Sequence, residues 1–264
     1  MEQVKAVVLR AAGVNCDVET QHALTLAGAK AERIHINRII ENTSLLDEYQ
    51  ILVFPGGFSY GDDVAAGKIL ANQVVHHLAP AIRKFIDDGK LVLGICNGFQ
   101  VLVKTGILPG INGSEPNVTD QPLSITNNDS GKFEDRWVHL APAADRCVFI
   151  DPDKRIYLPI AHAEGKVVAA DAQTLEDVKS AGHVAFRYVD ADGNEGPFPV
   201  NPNGSMDSIA ALTDSTGRVL GLMPHPERHV HPTQHPHWRR LKQKNNPDGM
   251  IIFNNAVNYV REHF

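Results

Sequence analysis

The chain has 264 residues, of which 43% are hydrophobic and 21% charged, with a formal net charge of −6. This gives room for a sizeable core in one large domain or two small ones, and the mild acidity excludes a general electrostatic pull on nucleic acid. Apolar runs too short to span a membrane, an N-terminus "MEQVKAVVLR" without a signal-peptide pattern, and three scattered cysteines, Cys16, Cys96 and Cys147, point to a soluble protein of a reducing cytoplasm.

In chain order, residues 5–11 (KAVVLRA) read as a buried strand and 18–29 as a helix ended at Gly28. Residues 31–37 are a second strand, and 51–54 (ILVF) a third that runs into the glycine turn PGGFSYGDD. From Ala66 to Asp88, residues Ile69, Leu70, Val74, Leu78, Ile82 and Phe85 share a helical face, and Gly89 stops the helix. Residues 91–95 (LVLGI) are a fourth strand, and Asn97 to Leu108 follow as a helix. Apolar strands alternating with helices imply a parallel sheet covered on both faces. From about 120 to 225 the pattern alternates and is cut by turn signals (DADGNEG, NPNG, DSTG), which reads as antiparallel or mixed strands extending the sheet. Residues 247–264 close the chain as an amphipathic helix with Asp248 as its expected cap. There is no internal repeat or long linker, so residues 1–264 read as a single α/β domain: a central, mostly parallel sheet with helices on both faces and an added antiparallel portion.

The chemistry concentrates at LGICNGF (93–99), where Cys96 ends a strand and begins a helix between Gly94 and Gly98. A sharp strand–turn–helix leaves little room two positions either side of its middle residue, the logic of the G-x-S-x-G nucleophile elbow with sulfur in place of the hydroxyl. A free thiol is only a few per cent ionised at neutral pH, and a helix N-terminus favours the anion. The competing reading is a buried structural cysteine at a tight turn.

A cysteine nucleophile needs a base, and the base needs orienting. Among 13 histidines, His225 stands out in LGLMPHPERHV, where an apolar strand pattern runs into His225-Pro226-Glu227. Pro226 disfavours helical backbone at His225, and in an extended segment residues i and i+2 face the same way, so Glu227 can hold one ring nitrogen while the other serves Cys96. The alternative is a polar surface turn. For an oxyanion, the Asn97 N–H follows the nucleophile, and Gly56-Gly57 in the loop after the third strand can bring a second backbone donor close. Such a donor is worth roughly 3 kcal/mol in the transition state.

Together these pieces resemble the class I (triad) glutamine amidotransferases: the elbow Gly94-Ile95-Cys96-Asn97-Gly98-Phe99-Gln100, the Pro55-Gly56-Gly57 loop, and His225-x-Glu227, in that order along the chain. Within the class, the segments at 54–73, PIAHAEG (159–165), NPNGS (201–205) and MPHPER (223–228) are similar to the glutaminase subunits of phosphoribosylformylglycinamidine synthases, which serve de novo purine synthesis. The resemblance runs through nearly the whole chain. It implies a flavodoxin-like fold, Cys96, His225 and Glu227 as catalytic residues, and Gly57, Asn97 and Gln100 as substrate-binding residues. It also implies glutamine as substrate and a separate ATP-binding synthetase subunit as partner, with a small bridging subunit in addition. ATP and magnesium belong to that synthetase, leaving no cofactor in this chain.

Two segments depart from the family pattern. Ala12-Gly13-Val14 stands where Pro-Gly-Ser/Thr is usual before Asn15-Cys16-Asp17, and Ala163 replaces a glycine in the His-Gly-Glu-Gly segment. Both concern loop shape, and Cys16 reads as structural. GDDVAAGKI (61–69) does not make a phosphate loop, because the glycine spacing is wrong and Ile69 occupies the Ser/Thr position. Five histidines in HPERHVHPTQHPHWRR (225–240) invite a metal reading. Their prolines and irregular spacing favour instead a loop flanking the active site, with Trp238, Arg239 and Arg240 either solvated or facing a partner. Two rival functions stay open at this stage: a cysteine hydrolase of the α/β-hydrolase kind, in which the acid precedes the histidine in the chain, and a catalytically silent scaffold subunit.

Overall fold

The computed structural model describes residues 3–110, 121–241 and 247–264. Its strands are β1 (Lys5–Arg10), β2 (Lys30–His35), β3 (Ile51–Phe54), β4 (Leu91–Ile95), β5 (Leu123–Asn127), β6 (Glu134–Pro142), β7 (Ile156–His162), β8 (Glu164–Ala169), β9 (Val184–Val189), β10 (Ile209–Thr213) and β11 (Val219–Leu222). The helices are α1 (Asp17–Leu26), α2 (Ile36–Glu41), α3 (Lys68–Gln73), α4 (Ala79–Asp87), α5 (Asn97–Lys104), α6 (Ala172–Ser180) and α7 (Gly249–His263).

Nine strands form one sheet in the order β2-β1-β3-β4-β11-β10-β9-β6-β7, and β5 pairs with β8 beside it. The first five in that order run parallel; β10, β9, β6 and β7 extend them antiparallel. This is the sheet expected from the sequence, with flavodoxin-like order in its parallel half. β3, β4 and β11 are buried at every position, as befits strands covered on both faces. One continuous apolar core joins them to α5 and α7 through Phe54, Phe99, Leu102, Phe253 and Val257.

Local departures from the sequence reading have identifiable causes. The helix expected from Ala66 to Asp88 is α3, a π-helical turn over Val74–Leu78, and α4. Pro80 lacks the N–H that an uninterrupted helix would use, and Leu78 leaves helical geometry at φ −121°. Residues 36 and 37, assigned to the second strand, instead open α2, whose first turn is capped by the His35 side chain accepting from the Asn37 N–H. Asp248 makes no side-chain cap to α7. Its carboxylate accepts from the Tyr157 N–H at 2.9 Å and pairs with Lys154 at 3.4 Å, tying the helix start to β7.

Candidate active site

The parallel strands β1, β3, β4 and β11 deliver their following loops to one edge of the sheet, the carboxyl edge where ligands gather in such folds. β4 and β11 are paired in register, Gly94 opposite Gly221 and Ile95 opposite Leu222, and the Cys96 N–H continues the ladder to Leu222 O at 2.8 Å. Cys96 then turns at φ 49°, ψ −104°, a conformation that costs an L-residue of order 1–3 kcal/mol and survives only where surroundings enforce it. The enforcement is steric. A Cβ on Gly98 would lie 1.9 Å from Phe54 O, and one on Gly94 would lie 2.8 Å from Gly98 O, so both elbow glycines are required by close backbone approach.

His225 follows β11, held by its N–H to Pro159 O at 2.8 Å. His225 Nδ1 and Glu227 Oε1 are 2.6 Å apart, with both side chains almost wholly buried. A carboxylate only accepts, so Nδ1 carries the proton and Nε2 is left to act as base. Nε2 is buried without a hydrogen-bond partner among the described residues. Burial works against charge on His225, but the Glu227 carboxylate and then Cys96 outweigh it and hold the imidazole well above its usual range. His225 is extended, as expected, but Pro226–Arg228 form a 3-10 turn. Glu227 therefore reaches the ring by turning back toward it, not by strand alternation.

The Gly56-Gly57 loop is fixed to the segment after β1. Cys16 N–H donates to Gly56 O at 3.2 Å, Phe58 N–H to Gly13 O at 3.0 Å, and Tyr60 N–H to Ala12 O at 2.7 Å, with an isolated bridge between Val14 and Gly57. Gly57 adopts φ 145° against the Val14 and Asn15 backbone, where a Cβ would come within 2.8 Å of Val14 Cα. The unusual Ala12-Gly13-Val14 turn thus serves as the seat of this loop. The N–H groups of Gly57 and Asn97 have no acceptor among the described residues.

The Asn97 side chain is engaged within the protein: its Oδ1 accepts from the Ser59 N–H at 3.2 Å, and its Nδ2 donates to Asp62 Oδ1 at 3.2 Å and Gln100 Oε1 at 3.0 Å. Gln100 Nε2 donates to Glu164 O at 2.5 Å. Both ends of the Gln100 amide are therefore taken, and it shapes the cleft. That cleft is lined by Gly57, Phe58, Cys96, Gln100, Ala161 and Glu164. Of the residues singled out in the sequence, the structure brings Gly57, Cys96 and Gln100 to this one cleft, with Asn97 next to Cys96 in the elbow and the His225–Glu227 pair within electrostatic reach of Cys96.

Three features lay beyond sequence reasoning. His162, also on the cleft, is buried, and its pKa is pushed down to about 3 by that burial and by the charge of His225. Its neutral Nδ1–H donates to Asn128 Oδ1 at 3.1 Å, and the same oxygen accepts the Gly165 N–H at 3.0 Å. Asn203 Nδ2 donates to Gly165 O at 2.8 Å, so the PIAHAEG and NPNGS segments, separate motifs in the sequence, interlock beneath the cleft. Ala163 is exposed, which explains why a methyl is tolerated there. Second, Cys16 stands beside the His225–Glu227 pair: a ligand atom from each of the three lies within 4.8 Å of the others. Third, His229 and His235 build an aromatic layer on β6 and β7, with Trp137 packed edge-on to His229 at 5.0 Å and near His235 at 5.7 Å, while His231 packs against His22 of α1. Among the described residues, none of His229, His231, His235 and His237 belongs to a group of three or more histidine, cysteine or carboxylate ligands compact enough to hold a metal ion.

The CobB/CobQ-like glutamine amidotransferase domain family matches residues 3–260. Phosphoribosylformylglycinamidine synthase subunit PurQ of Dehalococcoides mccartyi is 46% identical over 264 residues, spanning 99% of this chain and 100% of that protein. The protein of the same name from Methanococcus maripaludis is 39% identical over 272 residues, with 98% of each chain covered. Among solved structures, a chain of PurLQS from Thermotoga maritima matches with a TM-score of 0.72 at 32% identity, covering 98% of this chain and 100% of that one. The chain belongs to the CobB/CobQ-like glutamine amidotransferase family, alongside the proteins named phosphoribosylformylglycinamidine synthase subunit PurQ.

Proposed function

We propose that this chain is the glutaminase subunit of a phosphoribosylformylglycinamidine synthase, hydrolysing glutamine to glutamate and ammonia through Cys96, His225 and Glu227. The Cys96 thiolate attacks the side-chain amide carbon, and the oxyanion forms within reach of the Asn97 and Gly57 N–H groups. His225, protonated at Nε2 and steadied by Glu227, donates that proton to the nitrogen as the C–N bond breaks, and ammonia leaves. Water then attacks the thioester, gives its proton to His225, and releases glutamate and the thiolate. In this reading residues 1–264 act as one cytoplasmic glutaminase domain without a cofactor of its own. Formylglycinamide ribonucleotide is aminated on a separate synthetase subunit that binds ATP and magnesium, with a small bridging subunit between them. The relatives' shared name and the PurLQS neighbour support that division.

The observation that carries the reading is the buried 2.6 Å His225–Glu227 contact just after β11, the strand paired with the one that ends at a cysteine held at φ 49°. The test is Cys96→Ala in the chain assembled with its synthetase. Glutamine-dependent amidine formation should be lost, while free ammonium still supports it. A glutaminase rate within tenfold of wild type would remove Cys96 as the nucleophile.

A further inference from the structure

The reaction just described makes no use of Cys16, yet this thiol touches the centre of it. Its Sγ, a His225 ring nitrogen and a Glu227 carboxylate oxygen lie within 4.8 Å of one another, and all three residues are buried. Gly56 makes the room, because a Cβ there would come within 2.9 Å of His225 Cε1 and 3.1 Å of Cys16 Sγ. A thiol, an imidazole and a carboxylate have the composition of a soft-metal site. Arg228 argues against that use: its Nη2 donates to Cys16 Sγ at 3.2 Å, placing a fixed positive charge against the sulfur a cation would need.

The guanidinium itself then needs explaining. Arg228 directly follows Glu227 in the chain, and Glu227 Oε2 is buried with no partner among the described residues. The guanidinium stands on the Cys16 sulfur, which itself lies within 4.8 Å of a Glu227 carboxylate oxygen, a range from which an arginine can close a charge-assisted, often bidentate, pair. Arg228 instead pairs with Glu19 on α1, Nε to Oε1 at 2.9 Å, and spends a second nitrogen on the Cys16 sulfur. Burial, the largest influence, pushes the Cys16 thiol up, so the sulfur meets the cation as a neutral group and adds no second anion beside Glu227.

We propose that Cys16 is a positioning residue: its sulfur, together with Glu19, holds the Arg228 guanidinium off Glu227, so that Glu227 keeps its full acceptor strength for His225. Were Arg228 to close on Oε2, Glu227 would pull less on the Nδ1 proton. The imidazolium, and with it the Cys96 thiolate, would then be less favoured. The groups facing His225 are Glu227, Cys96, Cys16 and His162, with Arg228 acting through Cys16. The inference rests on the reading of Cys96, His225 and Glu227 given above.

The test uses the full chain assembled with its synthetase, and the variants Cys16→Ala, Cys16→Ser, Arg228→Met and the double variant Cys16→Ala/Arg228→Met. The readouts are the rate at which iodoacetamide alkylates Cys96 at pH 7, located by peptide mass, and kcat and KM for glutamine. Cys16→Ala should slow alkylation and kcat about tenfold, equivalent to about 1.4 kcal/mol less stabilisation of the His225 imidazolium, with KM unchanged and the pH profile displaced. Cys16→Ser, which keeps a neutral atom in place, should stay near wild type. Adding Arg228→Met to Cys16→Ala should restore both rates toward those of Arg228→Met alone, whereas a packing role predicts that the double variant is worse than either single. Wild-type alkylation in Cys16→Ala, or a double variant no faster than Cys16→Ala, would overturn the proposal. If Cys16→Ala does not fold, Glu19→Gln releases the same guanidinium from its other anchor and should show the same loss and the same rescue; a wild-type rate there overturns the proposal equally. An active Cys96→Ala would defeat the triad reading whatever Cys16 does. An inactive Cys96→Ala with indifferent Cys16 variants would defeat only this inference.

Discussion

Gly98→Ala isolates the geometry of the elbow from its chemistry, because it adds one methyl group and removes no functional atom. That methyl carbon would lie 1.9 Å from Phe54 O and 2.6 Å from Phe54 C, against roughly 3.3 Å for a close carbon–oxygen approach. Relief requires α5 and β3 to separate by somewhat more than 1 Å, and neither can yield freely, since Phe54 and Phe99 are fully buried on opposite sides of the contact. Overpacking of this kind costs about 1–3 kcal/mol. Alanine's helix propensity returns up to about 1 kcal/mol of it at a helical position, so the net loss of stability is modest. Activity should suffer more. The shift carries Cys96 and the Asn97 N–H away from the Gly57 loop, and a displacement of about 1 Å in a reacting geometry costs on the order of a hundredfold. Urea unfolding and glutaminase turnover, measured on the same preparation, separate the two effects. Gly196→Ala is the control, because a Cβ there meets only ordinary contacts at 3.5 Å and beyond. A Gly98→Ala protein that turns over glutamine within about threefold of wild type would refute the claim that backbone approach at the elbow sets the catalytic geometry.

Other perturbations act on charge. His225→Ala should cost nearly as much turnover as Cys96→Ala, because members of one catalytic unit are not additive; a His225→Ala protein at full rate would contradict its role as base. Glu227→Gln should cost less in kcat than His225→Ala and leave KM for glutamine near wild type, since in the proposed reaction Glu227 acts on the ring and not on substrate; steady-state kinetics on the three variants checks the order. Acid should destabilise the fold through His162, whose pKa is pushed down to about 3 by burial and then by His225, below the value of about 6.5 in the unfolded chain. Between those values the unfolded state binds a proton the folded state refuses, so stability is full above about 6.5 and falls as pH drops, by about 2 kcal/mol at pH 5. Urea titrations at pH 7 and pH 5 should show this loss in the wild type and less of it in His162→Gln.

What could be read from the sequence divides along a physical line. β1, β3 and β4 are continuous apolar runs, and the glycines flanking Cys96 answer a steric demand contained within a few residues, so the strand–turn–helix that holds Cys96 was legible. The same holds for Glu227, whose place two residues beyond His225 keeps it within reach in either an extended segment or the observed turn. Local competition explains the misplaced boundaries. The apolar face from Ile69 to Phe85 continues across Pro80, so its periodicity hides the break at Leu78, and α2 starts from a histidine cap that lies outside the usual Ser, Thr, Asp and Asn signals. The surroundings of the site were a different kind of problem. Cys16 meets His225 because β1, β3, β4 and β11 run parallel side by side and deliver their following loops to one edge of the sheet, a fact of strand order that no local window contains. Asn128, His162, Gly165 and Asn203 come from separate strands and loops, and each alone reads as an ordinary turn or surface polar residue until burial makes every donor seek an acceptor. The Cys96 elbow and the His225–Glu227 contact are held by short-range geometry and therefore leave a compact pattern. The groups packed around them are recruited by topology, from positions 80 and 209 residues away from Cys96 and His225 in the case of Cys16. A second thiol beside the His225–Glu227 pair could therefore pass for a structural cysteine in the sequence, and its proximity to Arg228 and Glu227 becomes a chemical question only once the sheet has closed.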